Sequence, residues 1–258
     1  MNFARRHFLK ETLIGAPLAM SSMPMRAAAI SSEANIVDLL DIDWHDKKRM
    51  REVPVRLYLP RSAAMQNQVP LIIFSHGLGG SRYGYSYLGQ GWAKNGYASL
   101  HLQHIGSDQN VWFKGSPFLV IDRVHAAVKD HEAIERFFDF QFALDQLLES
   151  WIGKLINRDQ IFAAGHSFGA NTVMLGIGAE VKRHGQLLKL KDSRIKGAIL
   201  ISAPPFYGES SIKQILNPVK IPTLHVTATQ DVINIPRYFS PSSDRIDIFN
   251  AIGSEKKY

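Results

Sequence analysis

The stretch that decides the fold lies at residues 165–169 and reads Gly165-His166-Ser167-Phe168-Gly169. It follows a short apolar run at 161–164, which predicts a buried strand, and it opens the segment 170–181, which predicts a helix. A serine between two such glycines lies at the tip of a tight turn from strand to helix, where a side chain at either glycine would collide with backbone. We call this turn the elbow. It predicts an exposed nucleophile at Ser167, and an ordinary helix N-cap is the alternative.

The rest of the chain predicts strands alternating with helices. We expect strands at 41–45, 52–59, 71–74, 97–102, 161–164, 195–201 and 223–229, and helices at 85–94, 124–150 and 170–181. This alternation predicts an α/β fold with a mostly parallel central sheet flanked by helices. Ligands bind such sheets beyond the carboxyl ends of the strands. The elbow and a second glycine-rich motif both follow strands at that edge.

The second motif supplies a candidate oxyanion hole. Serine attack on an ester creates a negatively charged oxygen, which preorganised N–H donors must stabilise. One donor in this arrangement is the backbone N–H after the nucleophile, here that of Phe168. The loop after the strand at 71–74 carries Gly77, Gly79 and Gly80, and we expect it to present the N–H of Leu78. A plain glycine turn is the alternative.

An acidic partner for the serine is expected later in the chain. The order of the catalytic groups in this arrangement is serine, then Asp or Glu, then histidine. Asp231 follows the predicted strand at 223–229 and is the natural candidate for the acid. Asp244 and Asp247 are weaker competitors, and a surface aspartate with no catalytic role is the alternative reading of Asp231.

Together these segments resemble the α/β-hydrolase superfamily, in particular the bacterial dienelactone-hydrolase-like proteins and the platelet-activating factor acetylhydrolases. They resemble the cutinase-like polyester hydrolases more distantly. The matching segments are 55–60, 74–79, 104–108, 158–160 and 165–169. The resemblance implies a serine hydrolase acting on ester bonds, often short acyl esters, without a metal. It implies Ser167 and Asp231 as catalytic residues and Leu78 and Phe168 as oxyanion-hole donors.

The sequence departs from this family at the catalytic base. The family's histidine follows the acid after one more strand, but no histidine occurs after His225. We therefore expect the sequence to be truncated at its C-terminus, with the last strand and helix missing. Among earlier histidines, only His104 is a possible substitute, since it follows the strand at 97–102. We expect His76 to brace the glycine loop, His166 to point away from the hydroxyl, and His225 to pack in the core.

Residues 1–29 resemble a bacterial twin-arginine signal peptide. Arg5 and Arg6 precede a weakly apolar stretch at 12–25 that two prolines interrupt, and three alanines at 27–29 offer a cleavage site. The stretch is too short to span a membrane stably. We expect a signal peptide at 1–29, an α/β-hydrolase domain at 30–258, and a periplasmic or secreted enzyme. A basic terminus of a cytosolic protein is the alternative.

Composition narrows the classes of partner. The 258 residues are 45% hydrophobic and 21% charged, which suits one globular domain. The four basic residues and one acidic residue within 1–29, taken from totals of 30 and 23, leave 26 and 22, a net charge of +4 instead of +7. These charges are scattered, so we expect no nucleic-acid partner. The chain has no cysteine, which excludes disulfides and a cysteine nucleophile, and we expect neither a cofactor nor a metal.

The sequence therefore predicts an exported, serine-dependent carboxylic-ester hydrolase acting on a small-molecule or lipid-like ester, with no stable membrane anchor. The alternative is a non-catalytic, truncated or ligand-binding protein that lacks the triad histidine, and a peptidase is a weaker one. Aromatic residues and prolines after successive strands are expected to form apolar walls of the site; they are Trp112, Phe113, Phe118, Pro204, Pro205 and Phe206. The sequence identifies neither the acyl group nor the oligomeric state.

Overall fold

A computed structural model describes residues 36–258 except His184, Glu209, Ser210 and Pro236. The predicted signal peptide at 1–29 lies outside the described residues, so that domain boundary stays a prediction. The described part contains eleven strands. They are β1 (Val37–Asp46), β2 (Arg51–Pro60), β3 (Val69–Ser75), β4 (Ala98–Leu102), β5 (Ile156–His166), β6 (Glu180–Arg183), β7 (Gln186–Lys189), β8 (Ile195–Ile201), β9 (Thr223–Val226), β10 (Ile233–Ile235) and β11 (Tyr238–Ser240).

Seven α-helices connect these strands. They are α1 (Ser86–Lys94), α2 (Asn110–Phe113), α3 (Val120–Ala127), α4 (Asp130–Glu149), α5 (Phe168–Gly176), α6 (Ile212–Leu216) and α7 (Ser243–Ala251). Short 3₁₀ turns lie at Pro117–Leu119 and Trp151–Leu155. Among the described helices, none has the length and apolar composition needed to cross a membrane.

The central sheet has seven strands in the order β1-β2-β4-β3-β5-β8-β9. The five strands from β4 to β9 in this order are parallel, and β2 joins them antiparallel as part of the β1–β2 hairpin. The predicted mostly parallel sheet is therefore confirmed. The carboxyl ends of β3, β5, β8 and β9 meet at one edge, and the candidate site residues follow these ends.

The two faces of the sheet are covered by different helices, as the apolar run in β3 predicts. Leu71 and Ile73 point into the main core, which contains the buried faces of α4 and α5. Ile72 and Phe74 point the other way, into a smaller cluster where Trp92 of α1 packs. Successive side chains of a strand face opposite sides, so a strand covered on both faces reads as continuously apolar.

The elbow joins β5 to α5 with a strained backbone at its tip. Ser167 has φ 51° and ψ −119°, a conformation that residues other than glycine seldom adopt. A Cβ on Gly165 would overlap the carbonyl of Gly169, and a Cβ on Gly169 would overlap the carbonyl of Ser75. Both glycines are therefore required for the start of α5 to pack directly against the end of β3.

Two predicted helices differ from the structure. The helix expected at 124–150 is divided into α3 and α4, and Lys129 between them is extended. Asp130 and Glu132 occupy the first turn of α4, where carboxylates interact favourably with the helix N-terminus. The helix expected at 170–181 ends at Gly176, because Gly178 adopts φ +114° and turns the chain away.

The chain after α5 forms a β6–β7 hairpin that the sequence analysis did not predict. Its two strands pair antiparallel, and Leu188 of β7 faces Val181 of β6. Arg183 ties the hairpin to α4 through its Nε, which lies 2.7 Å from an Asp130 carboxylate oxygen. The hairpin therefore forms a fixed wall beside the site.

The last residues of the chain run beside β9. The N–H of Tyr258 donates to the carbonyl of Thr223 at 3.0 Å, and the N–H of His225 donates to the carbonyl of Tyr258 at 2.7 Å. Lys257 pairs with Thr223 in the parallel sense. Lys257 and Tyr258 thus extend the hydrogen bonding of the sheet beyond β9.

Gly169→Ala is expected to destabilise the protein by about 1–3 kcal/mol, because the added methyl group must displace the backbone carbonyls of Ser75 and His76. Urea unfolding of the purified variant measures this change. Gly91→Ala in α1 is the matched control, since its Cβ would meet no atom within 4 Å and alanine is the better helix former. Equal stability of the Gly169→Ala variant and the wild type would contradict the close approach.

Candidate active site

Ser167 lines a cavity of about 560 Å³ at the carboxyl edge of the sheet. Leu78 and Phe168, the predicted oxyanion-hole residues, line the same cavity. Its walls are mainly apolar and are formed by residues of α4, α5, the β6–β7 hairpin and β10; they include Ile134, Leu175, Val181, Leu188, Ile233 and Ile235. A cavity of this size and composition suits a small organic ligand.

The structure brings together two unused amide donors beside Ser167. Phe168 is the first residue of α5, where a helix leaves its N–H groups without intrahelical acceptors. In the glycine loop, the N–H of Gly79 donates to the Ser107 carbonyl at 2.8 Å and that of Gly80 donates to the Gly77 carbonyl at 3.1 Å. Within the described residues, neither Leu78 nor Phe168 donates its N–H to an acceptor. Both amides are therefore free to bind an oxyanion at the cavity.

Asp231 follows β9 and is held by several donors. The Thr227 hydroxyl donates to Oδ2 at 2.8 Å, and Arg245 of α7 donates to Oδ1 at 3.2 Å. Burial by itself would raise the pKa of Asp231, but hydrogen bonds from Thr227, Ser202 and Arg245 outweigh it and hold the pKa below its usual value. The carboxylate is therefore ionised at neutral pH. The weaker candidates for the acid, Asp244 and Asp247, both lie on α7. Asp244 accepts a hydrogen bond from the Ser240 hydroxyl.

Ser202 is a supporting residue that the sequence analysis missed. It follows β8 and, like Ser167, has a positive φ of 51°. Its N–H donates to the carbonyl of Val226 at the end of β9, just as the N–H of Ser167 donates to that of Ile201 at the end of β8. These bonds place the chain segments that follow β5, β8 and β9 side by side, and Asp231 lies in the segment after β9.

His104, the possible substitute for the catalytic base, forms hydrogen bonds with groups other than the Ser167 hydroxyl. His104 is fully buried, with Nε2 2.8 Å from the Ser75 hydroxyl and Nδ1 3.1 Å from Asp139. Burial, followed by the nearby arginines, lowers its pKa well below the usual value, so the ring is neutral. With both ring nitrogens occupied, His104 is not placed to serve Ser167. Among the described residues, the Ser167 hydroxyl donates no hydrogen bond to a histidine.

The other histidines occupy different surroundings. Nδ1 of His76 donates to the Gly77 carbonyl at 2.6 Å and Nε2 accepts the N–H of His104, so the ring braces the loop, as predicted. His225 lies within β9, with Nε2 3.2 Å from the Thr223 hydroxyl. The ring of His166 lies against Tyr85, at 5.1 Å between centroids.

A buried polar cluster behind the glycine loop was not foreseen. Its centre is Arg136 of α4, fully buried among Ser75, His76, Ser107 and Thr172. A signal was present in the sequence, because Glu132, Arg136, Asp139 and Ala143 recur at the spacing of one helix face. That face is the buried one.

The predicted apolar walls are confirmed in part. Pro204, Pro205 and Phe206 line the cavity. Phe113 and Phe118 do not line it and are 82% and 92% exposed. Trp112 instead lies over the glycine loop, where its Nε1–H donates to the Gly79 carbonyl at 3.2 Å. Within the described range, no cluster of three or more histidines and carboxylates is arranged to hold a metal ion.

Comparison with known proteins agrees with this architecture. Residues 50–112 match the family described as platelet-activating factor acetylhydrolase, isoform II. No curated protein sequence matches the chain. A dienelactone hydrolase from Anabaena variabilis is similar in structure, with a TM-score of 0.58 and 13% identity over 86% of this chain and 84% of that one.

Two esterases are similar to the same extent. One is a ferulic acid esterase from Streptomyces cinnamoneus, with a TM-score of 0.60 and 19% identity over 89% of this chain and 74% of that one. The other is a cold-adapted esterase from an Arctic intertidal metagenomic library, with a TM-score of 0.58 and 14% identity over 86% and 83%. The sheet order, the elbow and these structural matches together show that the chain has the α/β-hydrolase fold.

Proposed function

We propose that this protein is a serine-dependent carboxylic-ester hydrolase with Ser167 as its nucleophile. The observation that carries the proposal is the position of Ser167, on a strained turn at an apolar cavity that is also lined by Leu78 and Phe168, whose N–H groups have no acceptor among the described residues. Such a turn lifts the hydroxyl out of the helix and presents it to a ligand. The matching family and the esterases among the structural neighbours support ester hydrolysis.

In this proposal an ester binds with its carbonyl oxygen toward the N–H groups of Leu78 and Phe168. The Ser167 oxygen attacks the carbonyl carbon, the bond to the alcohol oxygen breaks, and the serine proton ends on the released alcohol, which leaves an acyl-enzyme. Water then hydrolyses that intermediate and frees Ser167. The two amides stabilise the negative charge that develops on the carbonyl oxygen in both steps.

Asp231 is the proposed acidic member of a catalytic triad of serine, aspartate and histidine. Its carboxylate is ionised, and it follows β9, which lies next to the strand β8 that precedes Ser202. Such a carboxylate orients a histidine that takes the serine proton and passes it to the leaving alcohol. The Ser167 hydroxyl has no such partner among the described residues. A non-catalytic, ligand-binding protein is therefore the second candidate for the chain as given.

Reaction with a fluorophosphonate distinguishes these two candidates. We expect the folded protein to be labelled at Ser167, located by peptide mass spectrometry, and to hydrolyse p-nitrophenyl acetate. Ser167→Ala should abolish labelling and remove the part of the hydrolysis that proceeds through the acyl-enzyme. Heat-denatured wild type serves as the control for non-specific labelling. Folded protein that remains unlabelled would support the non-catalytic candidate.

We also propose that the apolar side of the ester occupies the cavity, against the β6–β7 hairpin. Leu188→Trp should fill part of this space and lower kcat/KM for p-nitrophenyl octanoate relative to the acetate by about tenfold or more, because buried methylenes each contribute about 0.8 kcal/mol. Leu187→Trp is the matched control. Leu187 neighbours Leu188 on β7 but is 50% exposed and does not line the cavity. Equal ratios in the two variants would place the apolar group elsewhere.

We further propose that residues 1–29 direct the folded domain out of the cytoplasm by the twin-arginine route. In a bacterial host, cell fractionation should find the mature protein in the periplasm or medium. Replacing both Arg5 and Arg6 by lysine should retain it in the cytoplasm. An unchanged distribution would contradict this route.

A further inference from the structure

The guanidinium of Arg136 is buried without a carboxylate on it. Its Nε donates to the Thr172 hydroxyl at 3.1 Å and its Nη1 donates to the Ser107 hydroxyl at 2.8 Å. Its Nη2 donates to the Ser75 hydroxyl at 3.1 Å and to the His76 carbonyl. In the part of the chain that the structure describes, no ion pair includes Arg136. A buried arginine usually has a carboxylate partner, so this set of neutral acceptors requires an explanation.

Three of these acceptors belong to a segment that carries a proposed oxyanion donor, and the remaining one, Ser107, contacts such a segment. Ser75 and His76 lead into the glycine loop with Leu78. Ser107 fixes that loop from outside, because its carbonyl accepts the N–H of Gly79 next to Leu78. Two of the four hydrogen bonds of Arg136 therefore hold the segment that presents the Leu78 amide directly, and a third holds it through Ser107.

The fourth hydrogen bond reaches the elbow. Thr172, which accepts from Nε of Arg136, donates its own hydroxyl to the Phe168 carbonyl at 3.2 Å. The guanidinium carbon also lies 4.6 Å from the centroid of the Phe168 ring, a cation–π geometry. The same side chain thus contacts the residues around both free amides.

We propose that Arg136 is a positioning residue that sets the distance and direction of the Leu78 and Phe168 amides relative to each other. The inference rests on the proposed oxyanion hole. A rigid fork of N–H donors suits this task, because it fixes several acceptors in one plane and an ammonium group does not. Oxyanion donors act only within a narrow range of positions, so small displacements are costly.

Two carboxylates near the buried polar cluster form ion pairs with arginines other than Arg136. Asp139 accepts from Arg49 and Arg51 at 2.9 Å, and Glu132 accepts from Arg51 at 3.0 Å. The hydroxyl of Ser107 lies between Glu132 and Arg136, donating to the first and accepting from the second. Both carboxylates are therefore compensated without contacting Arg136.

The test compares Arg136→Lys and Arg136→Met with the wild type. We expect kcat for p-nitrophenyl acetate and the rate constant of fluorophosphonate labelling to fall by about a hundredfold in Arg136→Met, with KM little changed, since losing one oxyanion donor costs about 10²–10³. Arg136→Lys should recover only part of this loss. Arg194→Lys is the control, because Arg194 is a partly exposed arginine paired with Asp145 and Asp192.

A merely structural role has a different outcome. In that case Arg136→Met would lower thermal stability while the labelling rate per folded molecule stayed at the wild-type value, and the proposal would be overturned. If the Met variant does not fold, Thr172→Val removes the hydroxyl that links Arg136 to Phe168 and should lower the labelling rate by about tenfold, as expected for one neutral hydrogen bond. An unchanged rate in that variant would likewise overturn the proposal.

Failure of the proposed function can be recognised separately. If wild-type Ser167 does not react, the amide resonances of Leu78 and Phe168 in ¹⁵N-labelled protein provide the readout. We expect both to shift in Arg136→Met, or in Thr172→Val if the Met variant does not fold, and neither in Arg194→Lys. Unshifted resonances would overturn the role of Arg136, whereas shifted resonances in an unreactive protein would leave it standing without the esterase activity.

Discussion

The close approach of α5 to the end of β3 is the constraint on which the site depends. Gly169 lies against the carbonyls of Ser75 and His76 with no space for a methyl group. This contact brings the start of α5 beside the glycine loop, so Phe168 and Leu78, from two distant parts of the chain, line one cavity. The strained backbone of Ser167 persists because the strands and helix around it fix the turn from both sides.

The arginines near this contact form two groups, an outer layer and a fully buried inner one. The outer layer contains Arg49 and Arg51, which neutralise carboxylates of α4. The inner layer contains Arg136, satisfied by neutral oxygens of the elements that it joins. Burial lowers the pKa of Arg136 from its usual value to about 9, which leaves the guanidinium charged at neutral pH. A single positive charge therefore lies buried close to the proposed oxyanion hole.

Most of the fold was predictable because its signals are local. The apolar run in β3 directly predicts a buried strand. The glycine spacing of the elbow directly predicts a turn that leads into a helix. The β6–β7 hairpin was missed because Gly178 ends α5 early, inside a segment whose composition still favours helix. The role of Arg136 was missed for a different reason, since its partners come from β3, the loop before α2, and α5. The ion pairs of Arg49 were not predictable for the same reason, since Glu135 and Asp139 of α4 are distant in sequence.

The ion pairs of the β1–β2 hairpin affect how the molecule opens. An edge hairpin can usually fray without disturbing the rest of a domain. Here, separation of the β1–β2 hairpin from the sheet would leave the buried Asp139 carboxylate without Arg49 and Arg51, its two arginine partners. His104 would still be hydrogen-bonded to that carboxylate. An uncompensated buried charge is costly, so we expect the hairpin and the glycine loop to open as one cooperative unit. The edge of the sheet farthest in sequence from the elbow is thereby coupled to the rigidity of the site.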